Sequence, residues 1–532
     1  MGACPRFLHS LPVITVPREV ELKLDLQSGR ATAASRIGEL LAGNLAGPQR
    51  VEQLESLYFD TPDGKLHDHG VSFRIRRNGK QILQTIKCVD HSSLFERGEW
   101  ETELVDSKPD WQAAERTDIR RLLTKRLRRS VKPLFTTKVR RTTFPLRTER
   151  ANIEIALDSG SIVAEGRAQP IQELELELKG GDASELFRLA RELSRAVPAR
   201  VSLKSKAEKG YQLLHPAAPG ALKAASIELS SELQVPEAFR VIARSCLAQI
   251  LGNEAAVEQG HPEALHQMRI GLRRLRASMW FFSPVLAGPQ TDVIKSELKW
   301  LTRELSPARD FDVYLSQVPR PFREKYEEDP QFQGLCREFE RKRDEAFRRV
   351  QDAIRSDRYR HLLIETAGWI EAGDWCRAGN DSPRERTRTI EDYAAEQLAR
   401  RRKKIVKKSK RFDRLDATER HKLRIQIKKF RYASEFLEAV FTRGKAKHRW
   451  RGALNATKQI QDCLGALNDI AAHEKLSLEV LHGLGKGNGA LGAGGAFLAG
   501  LIAGQREAES PELADAAATA LKAFRSAKPF WK

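Results

Sequence analysis

The chain has 532 residues, of which 41% are hydrophobic and 31% charged, so it is long enough for two or more domains with cores of their own. A formal charge of +21 and a pI near 9.8 predict an acidic partner, and nucleic acid, phosphate polymers and anionic membranes are the candidate classes. The six cysteines are scattered without a CxxC spacing, which argues against a zinc site or a disulfide framework and favours a reducing cytoplasm.

The sequence shows neither an export signal nor a convincing membrane span. Its N-terminal residues lack a charged stretch followed by an apolar run, so we expect a cytoplasmic protein. The apolar stretch 490–504 is too short and too rich in glycine to cross a bilayer, and it predicts a packed helix. No feature of the sequence indicates an oligomeric state.

The first predicted element is a strand in the segment VPREVELKLDL. Glu19, Glu21 and Lys23 alternate there with apolar residues, and a period of two places them on one face of the strand. The same alternation recurs through the first two hundred residues, with acidic pairs on some strands and basic pairs on others. The charged positions are Arg74 and Arg76 in SFRIRR, Lys87 in LQTIK, Lys138 and Arg140 in TTKVRR, Glu173, Glu175 and Glu177 in IQELELELK, and Lys204 and Lys206 in VSLKSK.

Strands with one charged face are the default for an open antiparallel sheet with one side in water. If the sheet closes into a barrel, the charged faces line the lumen and the apolar faces pack outward against helices. A lumen with a carboxylate wall and a cationic wall suits a divalent metal and phosphates, because Mg²⁺ and Mn²⁺ prefer carboxylate and phosphate oxygens. The sequence lacks a Walker-type phosphate loop, a GxSxG elbow and an HExxH helix, which agrees with a chemistry that needs no protein nucleophile.

A segment rich in Ala, Ser and Pro between Pro216 and Pro236 predicts a linker. Beyond it a twelve-residue phrase occurs twice, as HQMRIGLRRLRA from His266 and as HKLRIQIKKFRY from His421. Cations recur three, seven, eight and ten residues after each His, and the His shares one helix face with three of the four. The cations are Arg269, Arg273, Arg274 and Arg276 in the first copy, and Arg424, Lys428, Lys429 and Arg431 in the second.

A basic stripe on a helix is usually a solvated face. A solvated face has no reason to keep a His and four cations in register twice, whereas two paired helices that line one channel do. Arginine suits phosphate because its planar fork donates bidentate hydrogen bonds. We therefore interpret the duplication as a site for a phosphate polymer. The basic run 401–411 is either an extension of that site or a solvated face, and the sequence leaves both open.

Each copy is followed, 44 or 48 residues after its His, by a helix that we predict to end in an acidic signature. The first signature contains Asp310 beside Arg309, and the second contains Asp469 beside Asn468. Each Asp either orients the His or forms a structural cap or salt bridge, and both alternatives stay open. The duplication predicts two homologous helical units, at about 233–375 and 386–532.

The ordered succession of EVELK from Glu19, YFDTP from Tyr58, FRIRR, TIK and ELELELK closely resembles the CYTH superfamily of triphosphate tunnel metalloenzymes. The duplicated phrase resembles the CHAD domain, a helical module associated with polyphosphate. A CYTH domain followed by a CHAD domain is similar to bacterial inorganic triphosphatases. The resemblance implies an α+β multidomain protein, with a closed antiparallel β-barrel and flanking helices at 16–214, a linker at 215–232, and an all-α domain of two repeated helical bundles at 233–532.

The resemblance also implies chemistry for individual residues. It implies hydrolysis of inorganic triphosphate with Mg²⁺ or Mn²⁺, and polyphosphate bound by the helical domain, which places the protein at polyphosphate granules. The implied metal ligands are Glu19, Glu21, Asp158, Glu173, Glu175 and Glu177, with the pair Glu173 and Glu175 favoured over Glu175 and Glu177. The implied catalytic residues are Glu19, Glu21, Lys23, Glu173 and Glu175. The implied substrate-binding cations are Lys23, Arg74, Arg76, Lys87, Lys138, Arg140, Lys204 and Lys206. The implied polyphosphate-binding residues are His266, His421 and the eight cations of the duplicated phrase named above.

Other functions compete with this interpretation. A noncatalytic polyphosphate scaffold gains nothing from acids in its lumen, so the carboxylates argue against it. Relatives of the CYTH superfamily also hydrolyse thiamine triphosphate or act as adenylyl cyclases, and the sequence does not separate these substrates. Nucleic-acid binding has only the net charge in its favour, because the sequence shows no aromatic-studded sheet or recognition motif.

Overall fold

The computed structural model describes residues 18–26, 30–43, 45–89, 94–216, 218–317, 324–326, 328–376, 383–441, 445–484 and 492–531. The chain forms two compact units, Met1–Pro216 and Ala217–Lys532. The apolar stretch near residue 490 is helical where it is described, from Gly492 to Ala508. None of the described helices is both long and apolar enough to cross a bilayer.

The described part of the first unit holds nine strands in one antiparallel sheet. The strands are β1 (Arg18–Leu26), β2 (Arg50–Asp60), β3 (Val71–Asn78), β4 (Gln81–Val89), β5 (Glu96–Glu103), β6 (Lys132–Arg147), β7 (Ala151–Ala164), β8 (Arg167–Gly181) and β9 (Ala199–Ser202). Their order is β5-β4-β3-β2-β6-β7-β8-β1-β9, and the start of β1 also pairs with β5. That pairing closes eight strands into a barrel and confirms the predicted fold of this unit.

Strand register decides which charges meet inside the barrel. In the β1–β8 pair, Glu21 lies opposite Glu177, Lys23 opposite Glu175, and Asp25 opposite Glu173. The alternate residues Leu22 and Leu24 are fully buried on the other face of β1, where a helix packs on β1 and β8. Because side chains alternate along a strand, the period-two pattern of the sequence sends charge inward and leucine outward.

Six helices accompany these strands in the described residues of the first unit. They are α1 (Arg30–Leu41), α2 (Lys65–Asp68), α3 (Trp111–Ala114), α4 (Lys125–Ser130), α5 (Ala183–Ala196) and α6 (Lys206–Leu214). The helix that packs on β1 and β8 is α5. An additional single turn of 3₁₀ helix spans Asp118–Arg121.

Helix α6 follows the last strand and packs into the barrel. It begins with a capping box, in which Ser205 and Glu208 bond each other's backbone N–H groups. Tyr211 packs with Phe135, and its hydroxyl donates a hydrogen bond of 2.7 Å to the buried Asp60 of the YFDTP motif. At Gly210 a Cβ atom would lie 2.1 Å from the Phe135 ring, so only glycine allows this approach. These contacts fix the position of the basic residues on α6.

The described part of the second unit is helical. Its helices are α7 (Val235–Gly252), α8 (Glu254–Glu258), α9 (Pro262–Phe281), α10 (Pro289–Glu304), α11 (Ser306–Gln317), α12 (Pro330–Arg355), α13 (Asp357–Ala372), α14 (Pro383–Arg386), α15 (Ile390–Ser409), α16 (Ala417–Phe436), α17 (Glu438–Phe441), α18 (Lys445–Leu484), α19 (Gly492–Ala508) and α20 (Ser510–Ser526). This helical unit confirms the second half of the predicted fold.

The two copies of the basic phrase lie on α9 and α16, which contact each other. The helices that precede them, α7 and α15, also begin side by side, because Gln234 and Thr389 form an isolated bridge there. Asp310 lies in the first half of α11, and Asp469 lies within the 40-residue α18. The prediction that each acidic signature ends a helix is therefore wrong for both.

Candidate functional site

The barrel encloses a cavity of about 900 Å³ that is lined mainly by charged side chains. Nine of the predicted site residues line it: Glu19, Glu21, Lys23, Arg74, Arg76, Lys87, Glu175, Glu177 and Lys206. Two further predicted residues, Asp158 and Glu173, are fully buried beside them. The sheet register thus brings acids from β1, β7 and β8 together with cations from β1, β3, β4 and α6.

Lys206 is the centre of an ion-pair network inside the barrel. Its Nζ lies 2.7 Å from Asp158 Oδ2 and 2.9 Å from Glu175 Oε1, and it also pairs with Glu173. Arg141 binds both oxygens of Asp158, at 2.8 and 2.7 Å, and a further oxygen of Glu175. Burial opposes ionisation of Glu175, but Lys206, Lys23 and Arg141 outweigh it and hold the pKa of that carboxyl well below its usual range.

Asp158, Glu173 and Glu175 form an acidic triad whose ligand oxygens lie within 4.8 Å of one another. That spacing is suitable for a metal ion. The same oxygens, however, already receive Lys206, Arg141 and Lys23, so their charge is balanced by the protein itself. A metal at the triad would compete with Lys206 for these atoms.

A second set of carboxylates has fewer cations around it. Glu177 lies opposite Glu21 across the β1–β8 pair and opposite Glu154 across the β7–β8 pair, and like charges placed directly opposite each other repel. Burial raises the pKa of Glu177, and Glu19 and Glu154 raise it further against the ion pair with Lys179. Glu21 Oε2 lies 2.7 Å from Lys23 Nζ but is buried without a hydrogen bond.

The opposite wall of the cavity is cationic. Arg74 and Arg76 project from β3, and the Nε atoms of both are buried without hydrogen-bond partners. Burial, followed by repulsion from Arg74 and Arg141, lowers the pKa of Arg76 to about 10. Lys87 on β4 pairs with Glu19 at 2.6 Å. Clustered guanidinium groups with unused donors are arranged to receive an anion.

The second unit contains another concentration of positive charge, where α9 meets α16. We name Arg269, Arg273, Arg424 and Lys428 the central cluster. Burial, then repulsion from Arg273, Arg424, Arg431 and Arg269, lowers the pKa of Lys428 to about 6. Arg269 keeps Nε and Nη1 buried without a hydrogen bond, and Arg424 does so with its Nε. Buried donors without partners are costly, so this cluster is prepared for an anionic ligand.

The two histidines of the phrase have different surroundings. Burial, followed by repulsion from Arg309, lowers the pKa of His266 to about 4, and its Nδ1 has no hydrogen bond. Asp310 instead lies 4.0 Å from Arg269, so it is an ion-pair partner rather than the orienting group of His266. His421 Nδ1 lies 2.7 Å from Asn468 Oδ1, so an amide and not Asp469 contacts this ring.

The family model of the CYTH domain matches residues 17–211, and that of the CHAD domain matches residues 241–476. The chain contains a CYTH domain followed by a CHAD domain. An inorganic triphosphatase from Haemophilus influenzae is 30% identical over 204 residues, which are 37% of this chain. The chain spans about half the length of that curated relative, 55% of it.

Two solved structures resemble single domains of the chain. The CHAD domain from the plant Ricinus communis is 26% identical, with a TM-score of 0.49, and the match covers 58% of this chain and 99% of that structure. A protein from Hippeastrum that is described as having a dominant triphosphatase activity is 19% identical, with a TM-score of 0.29. That match covers 36% of this chain and 95% of the other.

Three predicted cations of the CYTH domain do not line the cavity. Lys138 and Arg140 are exposed on the outer face of β6, where Lys138 lies 3.4 Å from Glu55. The reason is that the neighbouring residues Thr137 and Val139 are buried inside the barrel, so the alternate positions of this part of β6 point outward. Lys204 is exposed after the end of β9 and donates a hydrogen bond to Gln212. The predicted strand VSLKSK stops at Ser202, and Lys206 belongs to α6.

Sequence reasoning missed several basic residues of the CYTH domain, which are Arg141, Lys209 and the cavity-lining Arg97, Arg116 and Lys179. Arg141 is the cavity-facing arginine of β6, and its register partner Asp158 was the available clue. Lys209 is buried, with its Nζ 2.7 Å from Asp25 and 2.6 Å from Glu173. Once α6 is known to be a helix, Lys209 falls on the face of Lys206, since residues three apart are neighbours.

The predicted polyphosphate residues of the CHAD domain divide into two groups. His266, His421 and the four residues of the central cluster lie on the α9 and α16 faces described above. The remaining four, Arg274, Arg276, Lys429 and Arg431, lie outside the central cluster. Arg274 is buried and donates to Gln249 at 3.0 Å, and Arg431 binds Gln461 and Glu435. Arg276 and Lys429 lie near Thr302 and Trp280, respectively. Their binding roles stay predictions.

Proposed function

We propose that the CYTH domain hydrolyses inorganic triphosphate to pyrophosphate and phosphate with a divalent metal, Mg²⁺ or Mn²⁺, and that the CHAD domain binds polyphosphate. The observation that carries the first part is the charge pattern of the 900 Å³ cavity, which combines carboxylates on β1 and β8 with arginines on β3 and β6. Triphosphate complexed with a divalent metal carries the complementary charges, because the metal is attracted to the carboxylates and the phosphate oxygens to the arginines. The second part rests on the unpaired donors of the central cluster.

We propose Glu19, Glu21 and Glu177 as the metal-binding group of the cavity. They fit a divalent cation because Glu21 and Glu177 oppose each other in the sheet and each of the three carboxylates has a single ion-pair partner among the described residues, Lys87, Lys23 or Lys179. Asp158, Glu173 and Glu175 fit less well, since Lys206 and Arg141 already neutralise them. A bound metal would supply charge neutralisation at the phosphate oxygens. This choice replaces the predicted preference for Glu173 and Glu175.

The cations of the cavity hold the substrate in this proposal. Arg74 and Arg76 offer planar donors to the phosphoryl oxygens, while Arg141, Lys23 and Lys87 add positive charge near the carboxylates that they bind. Phosphoanhydride hydrolysis needs mainly positioning and electrostatic stabilisation of the transferring phosphoryl group. In this proposal a carboxylate of the β1–β8 pair orients the attacking water. No covalent intermediate with the protein is required.

The test is phosphate release by the full chain with Mg²⁺ or Mn²⁺, comparing triphosphate, pyrophosphate, ATP, thiamine triphosphate and long-chain polyphosphate. We expect a strong preference for triphosphate and loss of at least about 100-fold in kcat/KM for Glu21→Gln, because electrostatic groups in such sites contribute on that scale. The matched control is Glu55→Gln, since Glu55 is on the outer surface. Turnover of none of these compounds, with polyphosphate still bound, would make the protein a scaffold.

The polyphosphate part has its own test. Arg273→Glu and Lys428→Glu are each expected to weaken binding of long-chain polyphosphate steeply at low salt, because they place an acid inside the central cluster. Lys522→Glu on α20 is the matched control, since it is exposed and changes the net charge equally. Equal affinities of all three variants would refute polyphosphate binding at the central cluster. Binding there would hold the enzyme on polyphosphate in the cytoplasm.

A further inference from the structure

The two duplicated helices carry residues of different chemistry at one equivalent position near their C-terminal ends. Fourteen residues after the His, α9 has Trp280 where α16 has Glu435. The neighbouring basic positions are kept, since Arg276 on α9 corresponds to Arg431 on α16. The α9 edge and the α16 edge of the helix pair therefore carry equivalent arginines. At the compared position only the α16 edge has a carboxylate.

At the α16 edge the positive charge is neutralised. Arg431 Nη1 donates to Glu435 Oε1 at 2.5 Å, and Arg431 Nε donates to Gln461. Arg274 lies over the Phe436 ring at 5.5 Å. Burial raises the pKa of Glu435, and the charges of Arg431 and Arg274 oppose that rise. An anionic polymer at this edge would meet a carboxylate and occupied donors.

At the α9 edge the positive charge is not neutralised. Arg401 of α15 is buried, with its guanidinium 4.0 Å from the Trp280 ring and one of its nitrogens donating to the main-chain carbonyls of Trp280 and Phe281. Lys429 lies 5.5 Å from the same ring. Among the described residues, no carboxylate forms an ion pair with Arg276, Lys429 or Arg401. Burial, then repulsion from Arg276 and Arg401, lowers the pKa of Lys429. Three neighbouring cations without an acid favour an anion at this edge.

The basic surface continues from this edge along α15. Arg401 begins the run RRKKIVKKSKR, and Lys404 and Lys408 follow it at helical spacings of three and four residues. Lys404 is exposed and Lys408 partly exposed, and neither has a described acidic partner. The run therefore extends the line of cations that starts at Trp280.

We infer that polyphosphate leaves the central cluster past Trp280, where the buried guanidinium of Arg401 adds positive charge, and continues along Lys404 and Lys408 of α15, while Glu435 repels it from the opposite edge. This inference rests on the proposed binding of polyphosphate by the CHAD domain. The polymer would then extend from only one edge of the helix pair, although the sequences of the two helices are repeats of each other. It also assigns the basic run 401–411 to binding rather than to solvation.

The test compares two substitutions at equivalent positions, Arg276→Gln and Arg431→Gln, by titrating the full chain with long-chain polyphosphate at low salt without divalent metal. We expect Arg276→Gln to raise Kd about tenfold, the scale of losing a charge-assisted hydrogen bond, and Arg431→Gln to change it less than about twofold. Equal losses in the two variants, or no loss for Arg276→Gln, would overturn the inference.

Two further variants keep the test decisive if Arg276→Gln folds poorly. The double variant Lys404→Gln with Lys408→Gln lies on the surface of α15 and is expected to raise Kd by a similar factor, whereas Lys522→Gln should not. Unchanged binding by the double variant would remove α15 from the path. The variant Arg273→Glu separates this inference from the proposed function. If Arg273→Glu also bound normally, polyphosphate binding at the central cluster would itself be wrong.

Discussion

Lys206 Nζ lies 2.7 Å from Asp158 Oδ2, and both side chains are buried inside the barrel. Asp158 comes from β7 and Lys206 from the first turn of α6, so this pair joins the wall of the barrel to the helix that packs into it. Glu173 and Glu175 share the same ammonium group. The lysine therefore neutralises an acidic triad and at the same time fixes one cation of the candidate site.

Replacement of Lys206 by Met is expected to lower the free energy of unfolding of the CYTH domain by about 3 kcal/mol at pH 7, because buried carboxylates lose their partner. Burial opposes ionisation of Asp158, but Lys206 and Arg141 hold its pKa below the usual range. Such a group stabilises the fold above its unfolded pKa of about 4, and that contribution is lost as pH falls through the folded pKa.

The stability difference between wild type and Lys206→Met should therefore be fully present from pH 7 to about 5 and shrink as pH falls below about 4. Denaturant titrations of the full chain, followed by circular dichroism at several pH values, measure this difference. Lys204→Met is the control, because Lys204 is exposed and contacts only Gln212 in its side-chain hydrogen bonding among the described residues. A difference that stays constant with pH would contradict the assigned role of Lys206.

Arg140 and Arg141 provide a matched pair of adjacent residues on opposite faces of β6. We expect Arg141→Gln to lower kcat/KM for triphosphate by about 100-fold, since it removes a guanidinium group from the cationic wall. Arg140→Gln should have little effect, because Arg140 is exposed outside the barrel. Steady-state phosphate release checks both. Loss of activity in Arg140→Gln alone would mean that the inner face of β6 is assigned wrongly.

This pair also shows where sequence reasoning ends. A period of two is enough to predict charged strands and a charged lumen, and Glu19, Glu21 and Lys23 lie where it places them. Two consecutive arginines give both faces of β6 the same charge, so the choice depends on the packing of Val139 inside the barrel. That packing is a tertiary contact, and the residue pattern of a single strand does not predict it.

Helix α6 and the duplicated helices of the CHAD domain show the same limit of prediction from sequence. The start of α6 was available in the sequence, since Ser205 and Glu208 have the spacing of a capping box. Reading this segment as a strand put Lys204 in the site and left Lys209 out. The duplicated phrase correctly located two related helices, but the low pKa of Lys428 arises from Arg273 on the other helix as well as from burial. Contacts between helices far apart in sequence decide such details.

Gly210 tests how tightly α6 fits into the barrel. Gly210→Ala is expected to destabilise the CYTH domain by about 2 kcal/mol, because the new methyl group would overlap the Phe135 ring in a packed core. Gly38→Ala on α1 is the control, since a Cβ there meets no atom within 4 Å and alanine favours a helix. Thermal unfolding of both variants measures the effect. A wild-type melting temperature for Gly210→Ala would show that α6 moves away from Phe135 at little cost.

We expect Lys428 to make the proposed binding of polyphosphate by the CHAD domain dependent on pH. Burial and the neighbouring arginines lower its pKa to about 6, so at pH 8 the free protein holds this amine largely neutral. A bound polyanion favours the charged form and raises the pKa, so binding at pH 8 should take up close to one proton at this residue, and affinity should fall as pH rises from 6 to 8.

Calorimetric titrations in two buffers with different ionisation enthalpies measure the uptake. Lys428→Gln should abolish this part of it, while Lys522→Gln should leave it unchanged. Undiminished uptake in Lys428→Gln would place the titrating group elsewhere, whereas release of protons on binding would contradict the proposed charge of the site.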